Sequence, residues 1–328
     1  MYKFSLKIMI MLTIGLLLVS CESKVKNNKD GLINITVAQW GQEKYLIYLP
    51  LYVAMERGYF KKHGLNVKLK FSGNDDQTFA TVIKGDAQFG IGDPVFAAIS
   101  QEKGYPARVI GTLVNGVAVW GITNKKDLKV IKQASDLEGL RIGTFPEPST
   151  NYTLIKELIT KHNLQNTKIV QAPIGSQLAL LENGDADIVM ELEPSTSIAE
   201  SKGYSVVYSS PKFHGKFAFT GVTTTKDYLD KNKETTRKFL EALEEALQDS
   251  HKNPNMVVEV GASLFSKLDK QVVENAINRM LSEKTYPQHI KVDSKAWDNA
   301  IAVRVLVGDI KDKNKVSETV NNTFIRNK

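Results

Sequence analysis

The chain has 328 residues, 42% of them apolar, with one cysteine and a formal net charge of +7. This length predicts two domains, at roughly 100–200 residues per domain, and the apolar content excludes a wholly disordered chain. A single cysteine excludes a disulfide framework and a cysteine-built zinc site. The basic residues, 36 lysines and seven arginines, are spread along the chain. This spread indicates a solvated surface rather than a nucleic-acid partner.

The first residues predict a processed leader rather than a part of the fold. Lys3 and Lys7 precede an apolar run at residues 8–19. That run is shorter than the about 20 residues of a membrane-spanning helix, and the combination is typical of a secretory signal peptide. We therefore expect residues 1–20 to be the signal peptide and the polar residues 21–30 to be a flexible tether.

The only cysteine lies directly at the expected cleavage site. Leu18-Val19-Ser20-Cys21 resembles the lipobox of bacterial lipoproteins, in which cleavage precedes the cysteine and the thiol is lipidated. The resemblance implies that Cys21 anchors the exported protein to the outer face of the bacterial cytoplasmic membrane. The alternative is an ordinary signal peptide in which this cysteine occurs by chance.

From residue 33 onward, the pattern alternates between strands and helices. The first series predicts strands at 33–38, 66–71, 88–91, 108–113 and 117–123, and helices at 50–60, 77–84 and 94–103. After a lysine-rich connection at 125–135, a second series predicts strands at 141–144, 167–172, 187–191, 205–209 and 217–224, and helices at 150–162 and 175–183. Beyond residue 230 the chain is nearly all helical, with apolar stripes at helical spacing. This alternation predicts an α/β fold with largely parallel sheets.

An internal repeat connects the two series. The segment ATVIKGDAQF (residues 80–89) is similar to ALLENGDADI (residues 179–188). Each copy predicts a helix end, a glycine cap, an aspartate turn and a strand, and each is followed by an acidic residue and a proline, Asp93-Pro94 and Glu193-Pro194. The repeat predicts two lobes of similar architecture, unless it is the chance likeness of a common helix–glycine–strand corner.

No motif supplies catalytic chemistry. The five histidines are scattered and lack the i+3 or i+4 partners of a zinc site. Neither a nucleophile elbow nor a P-loop occurs, and the Gly90 and Gly92 pair lacks the third glycine of a dinucleotide fingerprint. We expect no catalytic residue, no metal and no cofactor.

Polar turns with nearby aromatic residues mark the predicted ligand site. Because ligands of open α/β sheets bind outside the carboxyl ends of the strands, and helix N-termini there offer free N–H groups, we select residues in or close to these turns. The candidate ligand-binding residues are Gln39, Trp40, Tyr45, Tyr48, Asn74, Asp75, Gly92, Asp93, Asn115, Trp120, Ser149, Thr150, Asn151, Tyr152, Glu191 and Glu193.

A purely structural role is open for several of these candidates. The acidic and hydroxyl side chains of Asp75, Asp93, Ser149 and Glu193 are residue types that cap helices. The indole rings of Trp40 and Trp120 are equally compatible with positions in the core.

A set of short motifs runs along nearly all of residues 33–324: PLYVAMERGYF (50–60), DAQFGIGDP (86–94), GDAD (184–187) with Glu193-Pro194, DYL (227–229) and the tail segments 308–311 and 322–324. In their order and spacing these motifs resemble those of the solute-binding proteins of bacterial ABC importers, in the branch for alkanesulfonate, taurine, nitrate and thiamine-pyrimidine precursors. One departure is Leu192, where many relatives have tryptophan before Glu-Pro.

The resemblance implies the type 2 periplasmic-binding-protein fold, with a mixed, mostly parallel sheet in each lobe and a ligand cleft between the lobes. The first lobe would comprise residues 31–123 and 222–328, and the second residues 124–221. Crossings are expected near residues 123–124 and 221–224, with hinge closure around the ligand. The partners implied are a small-molecule ligand and an ABC permease with its ATPase, and we expect a monomer.

The predicted turns carry acidic residues and no arginine. Because carboxylates repel anions and sulfonate sites use N–H groups, hydroxyls or arginine, this favours a nitrogen heterocycle or amine, such as a pyrimidine precursor, over nitrate or a sulfonate. Two alternatives stay open for the function. One is a ligand-sensing or scaffold lipoprotein without transport, and the other is an enzyme of the same fold that resembles pyrimidine-phosphate synthases.

Overall fold

The computed structural model describes residues 31–325. The predicted signal peptide, the tether and Cys21 lie outside the described residues. Within that range the chain forms two five-stranded sheets flanked by helices, which confirms the predicted α/β fold class with one mixed sheet in each of two lobes. No helix within residues 31–325 is long and apolar enough to cross a membrane.

The first sheet is built mainly from the N-terminal third of the chain. Its strand order is β2 (Leu65–Phe71), β1 (Ile33–Gln39), β3 (Phe89–Gly92), β10 (Ala218–Thr225) and β4 (Ala107–Asn115). The helices between these strands are α1 (Leu49–Glu56), α2 (Tyr59–Lys62), α3 (Asp75–Ile83) and α4 (Val95–Glu102). We call this sheet and its helices the first lobe.

The second sheet repeats the arrangement. Its strand order is β7 (Lys168–Gln171), β6 (Arg141–Thr144), β8 (Ile188–Glu191), β5 (Trp120–Thr123) and β9 (Ser205–Ser209). Its helices are α5 (Thr150–His162), α6 (Gln177–Glu182), α7 (Ser195–Ser201) and α8 (Ser210–His214). We call this sheet and its helices the second lobe.

The two copies of the sequence repeat occupy equivalent places. Each ends in the middle strand of its sheet, β3 in the first and β8 in the second, and Gly85 and Gly184 both adopt positive φ angles, 77° and 75°. Each middle strand pairs in parallel with one neighbour and antiparallel with the other. The prediction of two similar lobes is therefore confirmed by the strand order.

The chain passes between the sheets at positions different from those predicted. Strand β5 pairs with β8 and β9, so residues 120–123 belong to the second sheet, and the first crossing lies between Asn115 and Trp120 rather than near residues 123–124. The return crossing lies between Ser209 and Ala218 rather than at 221–224. The turn at Asn115-Gly116, where Gly116 has a φ of 97°, ends β4 directly before this crossing.

Helices dominate the remainder of the chain, as predicted. These are α9 (Lys226–Lys231), α10 (Lys233–Lys252), α11 (Pro254–Leu264), α12 (Lys270–Ser282) and α13 (Ser294–Leu306). The apolar stripe of α10 is buried against the first lobe, where Phe239 stacks on Phe89 with ring centroids 4.1 Å apart. Helix α12 packs against α7, and α13 packs against α5 as well as α4 and β10. These C-terminal helices therefore contact both lobes.

Candidate functional site

A cavity of about 810 Å³ lies where the carboxyl ends of the two sheets face each other. The first lobe contributes the turns that follow β1, β2 and β3, and the second lobe contributes the turns that follow β6, β7 and β8. Nine of the predicted residues line this cavity: Trp40, Tyr45, Tyr48, Asn74, Asp75, Asp93, Ser149, Thr150 and Asn151. The volume suits a small organic molecule.

Aromatic rings form much of the wall. The ring centroid of Trp40 lies 5.1 Å from that of Tyr45 and 6.4 Å from that of Tyr48, distances at which aromatic rings attract one another. Phe96, Phe145 and Phe219 line other parts of the cavity. Trp40 is partly exposed in the cavity rather than fully in the core, so the core interpretation does not hold for this residue.

Every charged side chain that lines the cavity, among the described residues, is a carboxylate. These residues are Glu43, Asp75, Asp76, Asp93 and Glu147, and the lining contains no lysine, arginine or histidine. The electrostatic potential of such a wall attracts cations and N–H donors and repels anions.

Asp75 lies in the first-lobe wall of the cavity. It is the first residue of α3, while the preceding Asn74 caps the helix by accepting a hydrogen bond from the Gln77 N–H. The Asp93 N–H donates to Asp75 Oδ1 over 2.7 Å. Burial and the nearby Asp93 carboxylate raise the pKa of Asp75 to about 8. Its Oδ2 has no protein partner among residues 31–325, and we infer that it is available to a ligand.

Asp93 is held from several sides. Its Oδ1 accepts from the Val95 N–H at 2.9 Å, which is the helix-capping role considered in the sequence. Its Oδ2 accepts from the Thr150 hydroxyl and from the Arg304 guanidinium, the latter at 3.1 Å. The carboxylate is therefore already neutralised and fully hydrogen-bonded within the protein.

The start of α5 forms the facing wall in the second lobe. Ser149 caps this helix, since its Oγ accepts from the Tyr152 N–H. Asn151 is 4% exposed, and its Nδ2 donates to the Met190 carbonyl at 3.3 Å. That contact fixes the amide orientation, because the reverse orientation would bring two oxygens together. Its buried Oδ1 then has no partner, a costly state for a polar atom that a ligand donor would relieve.

Seven predicted residues do not line the cavity. Gln39, Gly92 and Asn115 are the last residues of β1, β3 and β4 in the first sheet, and Trp120 is the first residue of β5 in the second sheet. Gln39 accepts from the Tyr52 hydroxyl at 2.7 Å and supports the loop after β1. A Cβ atom at Gly92 would lie 2.7 Å from Asp75 Oδ1, so the absence of a side chain there lets Asp75 approach. Trp120 is fully buried and donates to Glu283, which confirms its core position.

The other three are Tyr152, Glu191 and Glu193. Tyr152 is partly exposed beside Lys156. Glu191 is 3% exposed, and burial raises its pKa to about 8. Glu193 is fully buried, accepts from Ser197, and pairs with Arg279 at 2.7 Å. Its carboxylate therefore supports α7 rather than facing the cavity.

Sequence reasoning missed residues that lie outside the polar turns, among them Phe96 and Phe219 in the cavity lining and Arg304 behind it. Phe96 follows Asp93 by one helical turn, so its position beside the cavity could have been inferred from helical spacing. Phe219 lies on β10, and Arg304 lies on α13, more than 200 residues from Asp93. The turns themselves contain no arginine, but Arg304 and Arg279 reach Asp93 and Glu193 from the C-terminal helices. No metal-binding group of three or more His, Cys, Asp or Glu side chains occurs between residues 31 and 325.

Several known proteins are similar to this chain in sequence. The putative binding protein YtlA of Bacillus subtilis is 26% identical over 266 residues, covering 77% of this chain and 78% of that protein. The formylaminopyrimidine-binding protein of Halalkalibacterium halodurans is 21% identical over 317 residues, covering 91% and 92%. The 4-amino-5-hydroxymethyl-2-methylpyrimidine phosphate synthase of Schizosaccharomyces pombe is 25% identical over 152 residues, covering 46% and 42%.

The fold has close structural counterparts. The periplasmic aliphatic sulphonate binding protein SsuA of Escherichia coli superposes with a TM-score of 0.70 at 14% sequence identity, covering 88% of this chain and 92% of that one. The sequence profile of the family described as NMT1/THI5 like matches residues 47–257, a span that contains most of the cavity lining but not the segment 40–45. The chain is a member of the NMT1/THI5-like family.

Proposed function

We propose that this protein captures a small nitrogen-containing solute outside the cytoplasm and delivers it to the permease and ATPase of a bacterial ABC importer. Family membership, the periplasmic-binding-protein fold and two relatives named as binding proteins support the capture role. The observation that carries the proposal is the cavity between the two sheets, whose only charged lining groups, among residues 31–325, are carboxylates.

The lining favours a flat ring that bears N–H donors. The aromatic wall around Trp40 offers faces for stacking. In the second lobe Asn151 Oδ1 is a buried acceptor without a partner, and in the first lobe the Asp75 carboxyl becomes an acceptor for N–H donors when it ionises. A ligand with amino or ring N–H groups satisfies both acceptors, whereas nitrate or a sulfonate offers only oxygen atoms. A pyrimidine of the kind bound by the H. halodurans relative fits this chemistry.

The site of action rests on the N-terminal sequence. The signal-peptide pattern and the cysteine at position 21 support export and attachment of a lipid to Cys21. Lipid attachment would keep the binding protein close to the permease after each release of ligand. We further propose that it acts as a monomer.

Isothermal titration tests the ligand class. We expect binding in the micromolar range or tighter for 4-amino-5-hydroxymethyl-2-methylpyrimidine or its formylamino analogue, and none for nitrate, taurine or an alkanesulfonate. Asn151→Leu is expected to weaken pyrimidine binding about tenfold, the effect of losing one hydrogen bond of about 1–1.5 kcal/mol. Asn115→Leu is the matched control, because Asn115 Oδ1 is also buried without a partner but does not line the cavity.

Binding of nitrate or a sulfonate without binding of any pyrimidine would contradict the proposed ligand class.

We also propose that the protein binds without turnover, since Asp93 and Glu193 are both used in ion pairs within the protein. Mass spectrometry of the ligand after incubation with the protein checks this. Any chemical change in the ligand would favour an enzyme related to the pyrimidine synthase instead.

A further inference from the structure

Arg304 is a buried side chain at the junction of the two lobes that makes five hydrogen bonds. It lies near the end of α13 and is 2% exposed. On the first-lobe side, its Nη2 donates to Asp93 Oδ2 over 3.1 Å, and its guanidinium stands over the ring of Phe96 at 5.3 Å from the centroid. On its own segment, Nη1 donates to Asp309 Oδ2 over 2.8 Å.

The same guanidinium binds the start of α5 in the second lobe. Nη1 donates to the Pro148 carbonyl at 2.9 Å and to the Thr153 hydroxyl at 3.0 Å, and Nη2 donates to the Thr150 hydroxyl at 3.0 Å. Thr150 in turn donates to Asp93. Asp93 and Thr150 line opposite walls of the cavity, whereas Arg304 does not line it.

This geometry ties the separation of the lobes to one charged group. Moving the second lobe away from the first at this point breaks the bonds to Pro148, Thr150 and Thr153 together. The planar guanidinium makes several directed hydrogen bonds at once, which an ammonium group cannot reproduce. Breaking part of a buried charged network is strongly unfavourable, because it leaves a desolvated charge without its partners.

We propose that Arg304 is a positioning residue that couples the two lobes and fixes the distance between the facing cavity walls. It controls ligand capture without touching the ligand, by setting how far the walls can separate. The inference concerns the same cavity as the proposed function, but its main test needs no ligand. A failure of the ligand assignment therefore leaves it intact, and the reverse also holds.

Double electron–electron resonance measures the coupling directly. Spin labels are placed at Lys84→Cys on the first lobe and Lys161→Cys on the second, both at exposed positions, in a chain that carries Cys21→Ser. Arg304→Gln is expected to give a broader distance distribution with a longer mean than the chain with Arg304. Arg108→Gln is the matched control, because Arg108 is also buried (7% exposed) but its partners Gln101, Ala107 and Glu318 all lie outside the second lobe.

Two further variants keep the test decisive. Thr150→Val removes one second-lobe hydroxyl and leaves the Arg304–Asp93 ion pair, so it is expected to broaden the distribution less than Arg304→Gln, and it serves if Arg304→Gln does not fold. Arg304→Lys keeps a positive charge beside Asp93 but lacks the planar guanidinium that bonds Pro148, Thr150 and Thr153 together. We therefore expect its thermal stability to lie closer to that of the unmodified chain than its distance distribution does.

Three results would overturn the proposal. The first is a folded Arg304→Gln with an unchanged distance distribution. The second is equal broadening by Arg108→Gln, which would indicate a general effect of losing a buried charge. The third is an unchanged distribution in Thr150→Val when Arg304→Gln cannot be purified in folded form.

Discussion

The buried carboxyl of Glu191 makes a quantitative prediction about stability. Glu191 ends β8, is 3% exposed, and accepts one weak hydrogen bond from the Leu192 N–H. Burial, with a further contribution from the Glu193 carboxylate, raises its pKa to about 8 from an ordinary value of 4.5. The folded protein therefore holds a proton on Glu191 at neutral pH that the unfolded chain has released.

The sign follows from this proton uptake. A group whose pKa is raised by folding stabilises the fold fully below its unfolded pKa and loses that contribution as the pH rises through the folded pKa. The loss approaches about 1.4 kcal/mol per pH unit between the two values. From roughly pH 5 to pH 8 the stability of the protein should fall by about 3 kcal/mol relative to Glu191→Gln, which has no proton to lose.

Chemical denaturation at a series of pH values measures this difference. We expect Glu191→Gln to be less sensitive to alkaline pH and more stable than the unmodified chain near pH 8. Glu259→Gln, an exposed glutamate on α11, is the control and should leave the pH dependence unchanged. Parallel pH profiles for Glu191→Gln and the unmodified chain would refute the reasoning.

Three other predictions follow from the same structure. Because the pKa of Asp75 is about 8, its ionised fraction rises from about 1% at pH 6 to about 50% at pH 8, so the affinity for an amine or aminopyrimidine should increase by up to about 50-fold over that range. Titration of Asp75→Asn should show no such increase. Arg141 and Lys125 hold the pKa of Asp187 well below its usual range. The stabilisation of the fold by the ionised Asp187 carboxylate is therefore present at neutral pH and lost in acid. Asp187→Asn should cost about 2–3 kcal/mol at pH 7 in denaturant unfolding, and no loss would contradict this. Cys21→Ala should abolish incorporation of labelled fatty acid in a bacterial host, and continued labelling would disprove the assigned anchor.

Local patterns in the sequence predicted most of the fold. Helix α5 and strand β6 have the predicted bounds, because cap residues and β-branched runs act over a few neighbours. Helix α7 was not predicted, since its sequence STSIAES has only a weak apolar pattern. The first crossing was misplaced because residues 117–123 read as a single strand, although the chain changes sheets within them.

The site was predictable where it lies in turns and not where it depends on distant helices. Turns after strands located Trp40, Asp75 and Asn151, because the carboxyl ends of parallel strands share one edge of a sheet. Which turn carboxylates are neutralised depends on helices far away in the chain. The partners of Asp93 and Glu193, Arg304 and Arg279, lie on α13 and α12, and no local pattern connects them to the turns.

The position of β10 has a consequence for the order of folding. This strand is inserted between β3 and β4, and β4 pairs with no other strand of its sheet. A chain that has formed only as far as residue 209 therefore has all of the second sheet but leaves β4 unpaired in the first. Such long-range pairing slows folding. The first lobe can therefore be completed only after every strand of the second lobe has been made.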